Sequence, residues 1–248
     1  TGIPNDDNRF SVYFTPDYTP KDSGNFYYFN KPHGMNQWLH DPNVDIYESV
    51  IVLIDPDMII TKQFLFHIKS EADKFSKFQE TYTGDGNAKK NRDLYVREGH
   101  PVSQKYGIGS KWVKWKGFCD SNPNCSVSDE IGWKRYAVGP PYMMHINDWK
   151  RITPLWVEYS PLALKYEPTP SILAEMYSYV IACAYFKLEH EYLFSMISDP
   201  HSSKWMEVWN VLNWDFMNKN ITNRMEEELN DNILFHIIHY CQGFWLGK

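Results

Sequence analysis

Apolar and polar positions change period several times along this chain, and each change marks an element. Residues 34–40 carry Met35, Trp38 and Leu39 at helical spacing, behind a Pro32 suited to a first turn. Residues 47–54 are then dominated by Val and Ile and bounded by charge, the pattern of a strand covered on both faces, as in a parallel sheet under helices. Residues 64–79 read as a polar helix, and 83–92 as a long loop without periodicity. The alternation in 111–116 is that of an amphipathic strand with its lysines outward. Gly139-Pro140-Pro141 is a sharp break before a short apolar strand over 142–146. Asn147 or Asp148 is placed to cap the next helix, which keeps Ile152, Leu155 and Trp156 on one side through about residue 157 despite Pro154. A second helix over 170–187 turns Leu173, Met176, Val180, Cys183 and Ala184 inward, and 234–240 form a hydrophobic strand interrupted by His236 and His239. Residues 1–24 are rich in Pro, Asp and Asn and read as loop, with at most one strand over 10–14.

This alternation of strands and helices predicts an α/β fold, and 248 residues are enough for one large domain. Residues 1–29 form an irregular N-terminal segment, and 30–248 form the folded unit. A net charge of −6 argues against a nucleic-acid partner, because such binding rests on clustered Lys and Arg. The longest apolar run falls far short of the roughly 20 residues that cross a bilayer, and Thr1 does not open a signal peptide. Cys119 and Cys125 flank a turn-like segment and are placed to close a small disulfide loop, while Asn124-Cys125-Ser126 and Asn220-Ile221-Thr222 are glycosylation sequons. Together these mildly favour a secretory lumen. Aromatics make up 17 % of the chain, which suits a cleft for sugar or peptide, although core packing is their commoner use.

Asp55 and Asp57 stand where the Val/Ile-rich strand ends. Residues two apart in an extended chain point to the same side, about 6–7 Å apart, so two carboxylates there call for a cation. A hard divalent ion such as Mn²⁺ or Mg²⁺ takes oxygen ligands from few protein groups and completes its shell with phosphates and water. Ligands of open α/β sheets also collect beyond strand ends. The competing reading has Asp57 capping a turn while Asp55 is solvated. Glu175 lies within a strongly apolar helix, where an unpaired carboxylate is costly, so it faces a cleft or a partner such as Arg or Tyr. His239 alone reads as a satisfied core histidine.

Asn30-Lys31-Pro32-x-Gly34-x-x-x-Trp38-Leu39 followed by Val52-Leu53-Ile54-Asp55-Pro56-Asp57-Met58-Ile59-Ile60 resembles the plant and algal peptidyl O-glycosyltransferases, which comprise serine α-galactosyltransferases and hydroxyproline O-arabinosyltransferases. Met144-His145-Ile146-x-Asp148, Ala174-Glu175-Met176-Tyr177-x-Tyr179 and Ile238-His239-Tyr240 agree in order. The resemblance implies a GT-A-like nucleotide-sugar-binding sandwich with a mostly parallel central sheet. Asp55, Asp57 and His239 would hold Mn²⁺ or Mg²⁺ on the diphosphate of a UDP-sugar, with Asp55, Lys31, Gly139 and Lys248 binding the donor. Glu175 would act at the reacting centre, orienting the acceptor or stabilising an oxocarbenium-like sugar with retention of configuration. The implied reaction moves galactose or arabinofuranose to a Ser or hydroxyproline hydroxyl of a protein, in a membrane-anchored enzyme of the Golgi or ER lumen, although no anchor lies in this chain. The family opens its domain with a strand and helix for the uridine, and no counterpart precedes Asn30, so the chain reads as a partial catalytic domain. Asp55-Pro56-Asp57-Met58 mixes features of both branches and leaves the donor sugar open. Two other readings stand beside this one: a non-catalytic carbohydrate- or peptide-binding remnant of the fold, and a glycoside hydrolase, whose acids would have to flank a scissile bond.

Overall fold

The computed structural model describes residues 11–19, 27–60, 67–68, 75–84, 88–118, 126–167, 173–193, 196–197 and 237–239. The first long helix, α1 (Asn30–His40), leads to strands β1 (Val50–Leu53) and β2 (Met58–Ile60). A short β3 (His67–Ile68) precedes the long pair β4 (Phe75–Gly84) and β5 (Ala88–Arg97), then β6 (Val102–Lys105). Helix α2 (Asp129–Arg135), strand β7 (Val138–His145) and helices α3 (Ile146–Tyr166) and α4 (Leu173–Tyr185) follow. Strands β8 (Glu191–Leu193), β9 (Met196–Ile197) and β10 (Ile237–His239) complete the order. Residues 11–14 form no strand.

The protein is α/β, but its central sheet is mixed instead of mostly parallel. Its strands run β1-β7-β6-β8, with β1 antiparallel to β7, β7 antiparallel to β6, and only β6 and β8 parallel. β1 is an edge strand, four residues long and half-buried throughout. Its uninterrupted apolar run has a different cause from the one expected. Ile51 and Leu53 pack on the main core with the helices, while Val50 and Val52 pack on a second cluster of Leu94, Val96, Val102, Met143 and Leu193. Both faces of an antiparallel edge strand are therefore covered, which gives the composition usually seen in parallel strands.

Three further expectations change. The helix expected over 64–79 is absent among the described residues, where His67–Ile68 and Phe75–Gly84 are strands. The expected loop over 83–92 instead enters β5, which pairs antiparallel with β4 from Phe75↔Arg97 to Gly84↔Ala88. Lys111–Lys114 is a 3₁₀ helix, not a strand, although the faces divide as expected, with Trp112 buried and Lys111 and Lys114 exposed.

The break at Gly139-Pro140-Pro141 does not end a strand. β7 runs through it, fully buried, and the ladder to β6 jumps from Ser103↔Tyr142 to Gln104↔Gly139. The two prolines fall in this irregularity, where no ladder N–H is required of them. α3 continues past residue 157 to Tyr166 with Pro154 and Pro161 inside it, and its N-cap is His145, whose ring accepts from the Asn147 amide at 3.2 Å. α4 is buried at every position from Ala174 to Ala184, as an apolar helix without a polar face must be.

The aromatic content goes largely into this core. Tyr142 and Tyr179 lie 3.9 Å apart by ring centroid, with Trp156 5.3 Å from Tyr179 and 6.2 Å from Trp149. Each indole also has a polar task. Trp149 donates to the Ile51 carbonyl at 3.2 Å, fastening α3 to β1, and Trp156 donates to the Glu175 carbonyl at 3.1 Å, fastening α3 to α4. No helix among the described residues is long and apolar enough to cross a membrane. Trp149→Ala should cost about 3–5 kcal/mol in urea unfolding through the cavity and the orphaned carbonyl, and a loss below about 1 kcal/mol would contradict this packing.

Candidate metal centre

Four elements converge on one end of β1. The chain leaves β1 at Leu53 and reverses through Asp55-Pro56-Asp57-Met58, a turn closed by the Met58 amide donating to the Asp55 carbonyl at 3.0 Å. The two aspartates are thus brought together by a turn and not, as expected, by the pleat of an extended strand. β2 then starts a second, three-stranded sheet in the order β2-β10-β9. Antiparallel pairing sets His239 opposite Met58, one residue from Asp57. Ligand atoms of Asp55, Asp57 and His239 all lie within 4.8 Å of one another.

Asp57 Oδ1 is 3.2 Å from His239 Nε2, and the other ring nitrogen, Nδ1, is 3.0 Å from the Tyr106 hydroxyl. On the core side, Lys31 of α1 reaches Asp55 Oδ1 at 2.7 Å and Glu175 Oε2 at 3.0 Å. Exposure falls along this row of charges, from 46 % at the Asp57 side chain through 14 % at Asp55 to 1 % at Glu175. Burial favours the neutral amine of Lys31, but Glu175 and then Asp55 outweigh it and hold the ammonium above its usual range. Burial pushes the Glu175 carboxyl up, and Lys31 opposes that rise. Glu175 Oε1 is buried without a hydrogen-bond partner.

The donor set fits a hard divalent ion: two carboxylates and an imidazole whose second nitrogen is held by a neighbour. Lys31 pairs with two of the three carboxylates, Asp55 and Glu175, and the third, Asp57, faces His239. Half-exposed Asp57 leaves one side open to water or a phosphate.

Of the residues singled out in the sequence, Lys31, Asp55, Asp57, Glu175 and His239 come together here. The competing possibilities for single residues also resolve. Glu175 is paired, but with Lys31 instead of Arg or Tyr, and His239 is buried yet faces Asp57. Gly139 is buried within β7 under the Tyr106 ring. Lys248, both sequon asparagines, Cys119 and Cys125 lie outside the described residues. Tyr106 was missed, since a lone tyrosine after Gln104-Lys105 carries no spacing signal. A separate cavity of about 460 Å³ lies on the other side of α1 from Lys31, between His33, Gln37 and Asp41 of the helix end and Tyr13 and Tyr18 of the N-terminal segment. Its inward groups pair with one another, Tyr13 donating to Asp41 and Tyr18 to Gln37.

Lys31→Met leaves Glu175 buried without its counter-charge and should cost about 3–5 kcal/mol in denaturant unfolding. Adding Glu175→Gln to that variant should recover part of the loss. A Lys31→Met protein as stable as wild type would mean that the buried pair does not form.

Comparison with known proteins finds no matching family model, no matching curated protein and no matching solved structure for this chain.

Proposed function

We propose that this chain is part of the catalytic domain of a divalent-metal-dependent glycosyltransferase that moves galactose or arabinofuranose from a UDP-sugar to a Ser or hydroxyproline hydroxyl of a protein. The observation that carries the reading is the gathering of the neighbouring Asp55 and Asp57 with His239, remote from them in sequence, into one open donor set. The blockwise resemblance to the peptidyl O-glycosyltransferases supplies the substrate class, and a GT-A arrangement of the whole domain belongs to this reading. So does a setting in the Golgi or ER lumen.

Breaking the bond between a sugar and a nucleoside diphosphate builds negative charge on the departing phosphate, and Mn²⁺ or Mg²⁺, when bound, supplies positive charge where that charge develops. Asp55, Asp57 and His239 are the ligands. Lys31 is held charged beside Asp55 and adds a second positive group within reach of the same phosphates. Its two carboxylate partners fix the ammonium before substrate arrives, so little reorganisation is needed during reaction. Glu175 brings a buried carboxylate with one oxygen on Lys31 and the other, Oε1, unpartnered. In this reading Glu175 orients the acceptor or stabilises an oxocarbenium-like centre, without removing a proton as an inverting base would. Asp55 and Asp57 converge on one point, whereas hydrolytic acids flank the scissile bond from two sides.

Incubation of a Ser/hydroxyproline-rich peptide with Mn²⁺ and UDP-galactose or UDP-arabinofuranose should add one hexose or one pentose by intact mass, and Asp57→Ala should abolish the addition. UDP plus Mn²⁺ should also raise Tm for wild type and not for Asp57→Ala. Glycan or peptide binding that is indifferent to Mn²⁺ and UDP, with no mass added, would favour a binding module and overturn the transferase reading.

A further inference from the structure

His239 sits on a three-residue strand of a small sheet, yet its ring must hold a fixed direction if Nε2 is to serve the cluster. The β2–β10 ladder places its Cα but leaves the ring free to turn. We infer that Tyr106 is the positioning residue for His239, and that Gly139 is kept without a side chain so that the Tyr106 ring can occupy that place. This inference rests on the metal-site reading above and extends it to two residues outside the ligand set.

Four observations converge. The Tyr106 hydroxyl is 3.0 Å from His239 Nδ1, and the opposite nitrogen, Nε2, is the one that faces Asp57. The Tyr106 ring packs both against the main core and against the small cluster of Met58 and Ile237, so it spans the boundary between the two sheets. Its backbone is fixed to the same region, the Tyr106 amide donating to the Ala137 carbonyl at 2.9 Å. At Gly139 a Cβ would lie 2.6 and 2.7 Å from Tyr106 Cδ2 and Cε2, and 2.5 Å from Met176 Cε, so any side chain there would displace the ring.

A phenol suits this place because it both donates and accepts. It bonds Nδ1 with or without a proton there. When Nδ1 carries the proton, the phenol oxygen accepts it and the Nε2 lone pair is directed to the side where Asp57 lies. Partners of this kind orient metal-binding imidazoles and typically change affinity by about 10–100-fold when removed.

The test is Mn²⁺ affinity by isothermal titration on wild type, Tyr106→Phe, Gly139→Ala and Asp57→Asn, alongside ¹⁵N NMR of the metal-free His239 ring. Tyr106→Phe keeps the ring and should leave metal-free Tm close to wild type, while weakening Mn²⁺ binding about tenfold. Gly139→Ala should weaken binding in the same direction by displacing the ring. In wild type the His239 ring should show one dominant tautomer with Nδ1 hydrogen-bonded, and in Tyr106→Phe its nitrogen shifts should move toward the average of two tautomers. Wild-type affinity in Tyr106→Phe, with Asp57→Asn impaired, would overturn this inference and leave the metal site standing. Should Tyr106→Phe fold poorly, a wild-type ring lacking a hydrogen-bonded Nδ1 would overturn it equally. No Mn²⁺ binding by wild type would sink the metal reading itself, and this inference with it.

Discussion

A lysine ammonium shared by two carboxylates, one at the end of an edge strand and one inside a buried helix, is the contact on which the arrangement of this protein turns. Lys31 is the point where α1, the end of β1 and α4 meet. Glu175 at 1 % exposure would be a costly anion in the absence of a counter-charge, and Glu175 and Asp55 together hold the Lys31 ammonium against the cost of its burial. The pair also decides what Asp55 can do. With one oxygen committed to Lys31, its carboxylate is pinned next to the turn that carries Asp57, so the outer half of the row is prearranged by the inner half.

The outer half depends on a second tie. The turn that follows β1 contributes the two aspartates and links the main sheet covalently to the small β2-β10-β9 sheet, to which His239 belongs. Tyr106, seated over Gly139, joins the same two bodies through packing and one hydrogen bond. A site assembled across two sheets in this way is open on the side of Asp57 and closed on the side of Glu175.

Much of the site was legible in the sequence, and for physical reasons. An Asp-x-Asp at the end of an apolar strand, a carboxylate in an apolar helix and a lysine at a helix start are each expensive or conspicuous placements, and all three sit at the cluster. The geometry between the aspartates was misread, because Pro56 imposes a turn where a strand was extrapolated. The sheet was misread because Val50–Leu53 is apolar on both faces through two separate clusters, a pattern that local periodicity does not separate from a parallel strand. Residues 64–92 were misread for a different reason. The polar stretch suggested helix and loop, but β4 and β5 pair over ten residues each, and that ladder outweighs weak helical periodicity. Tyr106 left no trace in the sequence, and Gly139, conspicuous there only as a break and as a donor-binding candidate, gave no sign of the ring it seats, since their pairing exists only once β7 and the segment after β6 lie side by side.

The most direct measurement is a crystal structure of the protein equilibrated with Mn²⁺, with data collected to locate the ion by its anomalous scattering. The account expects one strong peak within about 2.0–2.4 Å of Asp55, Asp57 and His239 together, with Lys31 still bridging Asp55 and Glu175. An anomalous map without a peak at that position, or a structure with the two carboxylates turned apart, would contradict it.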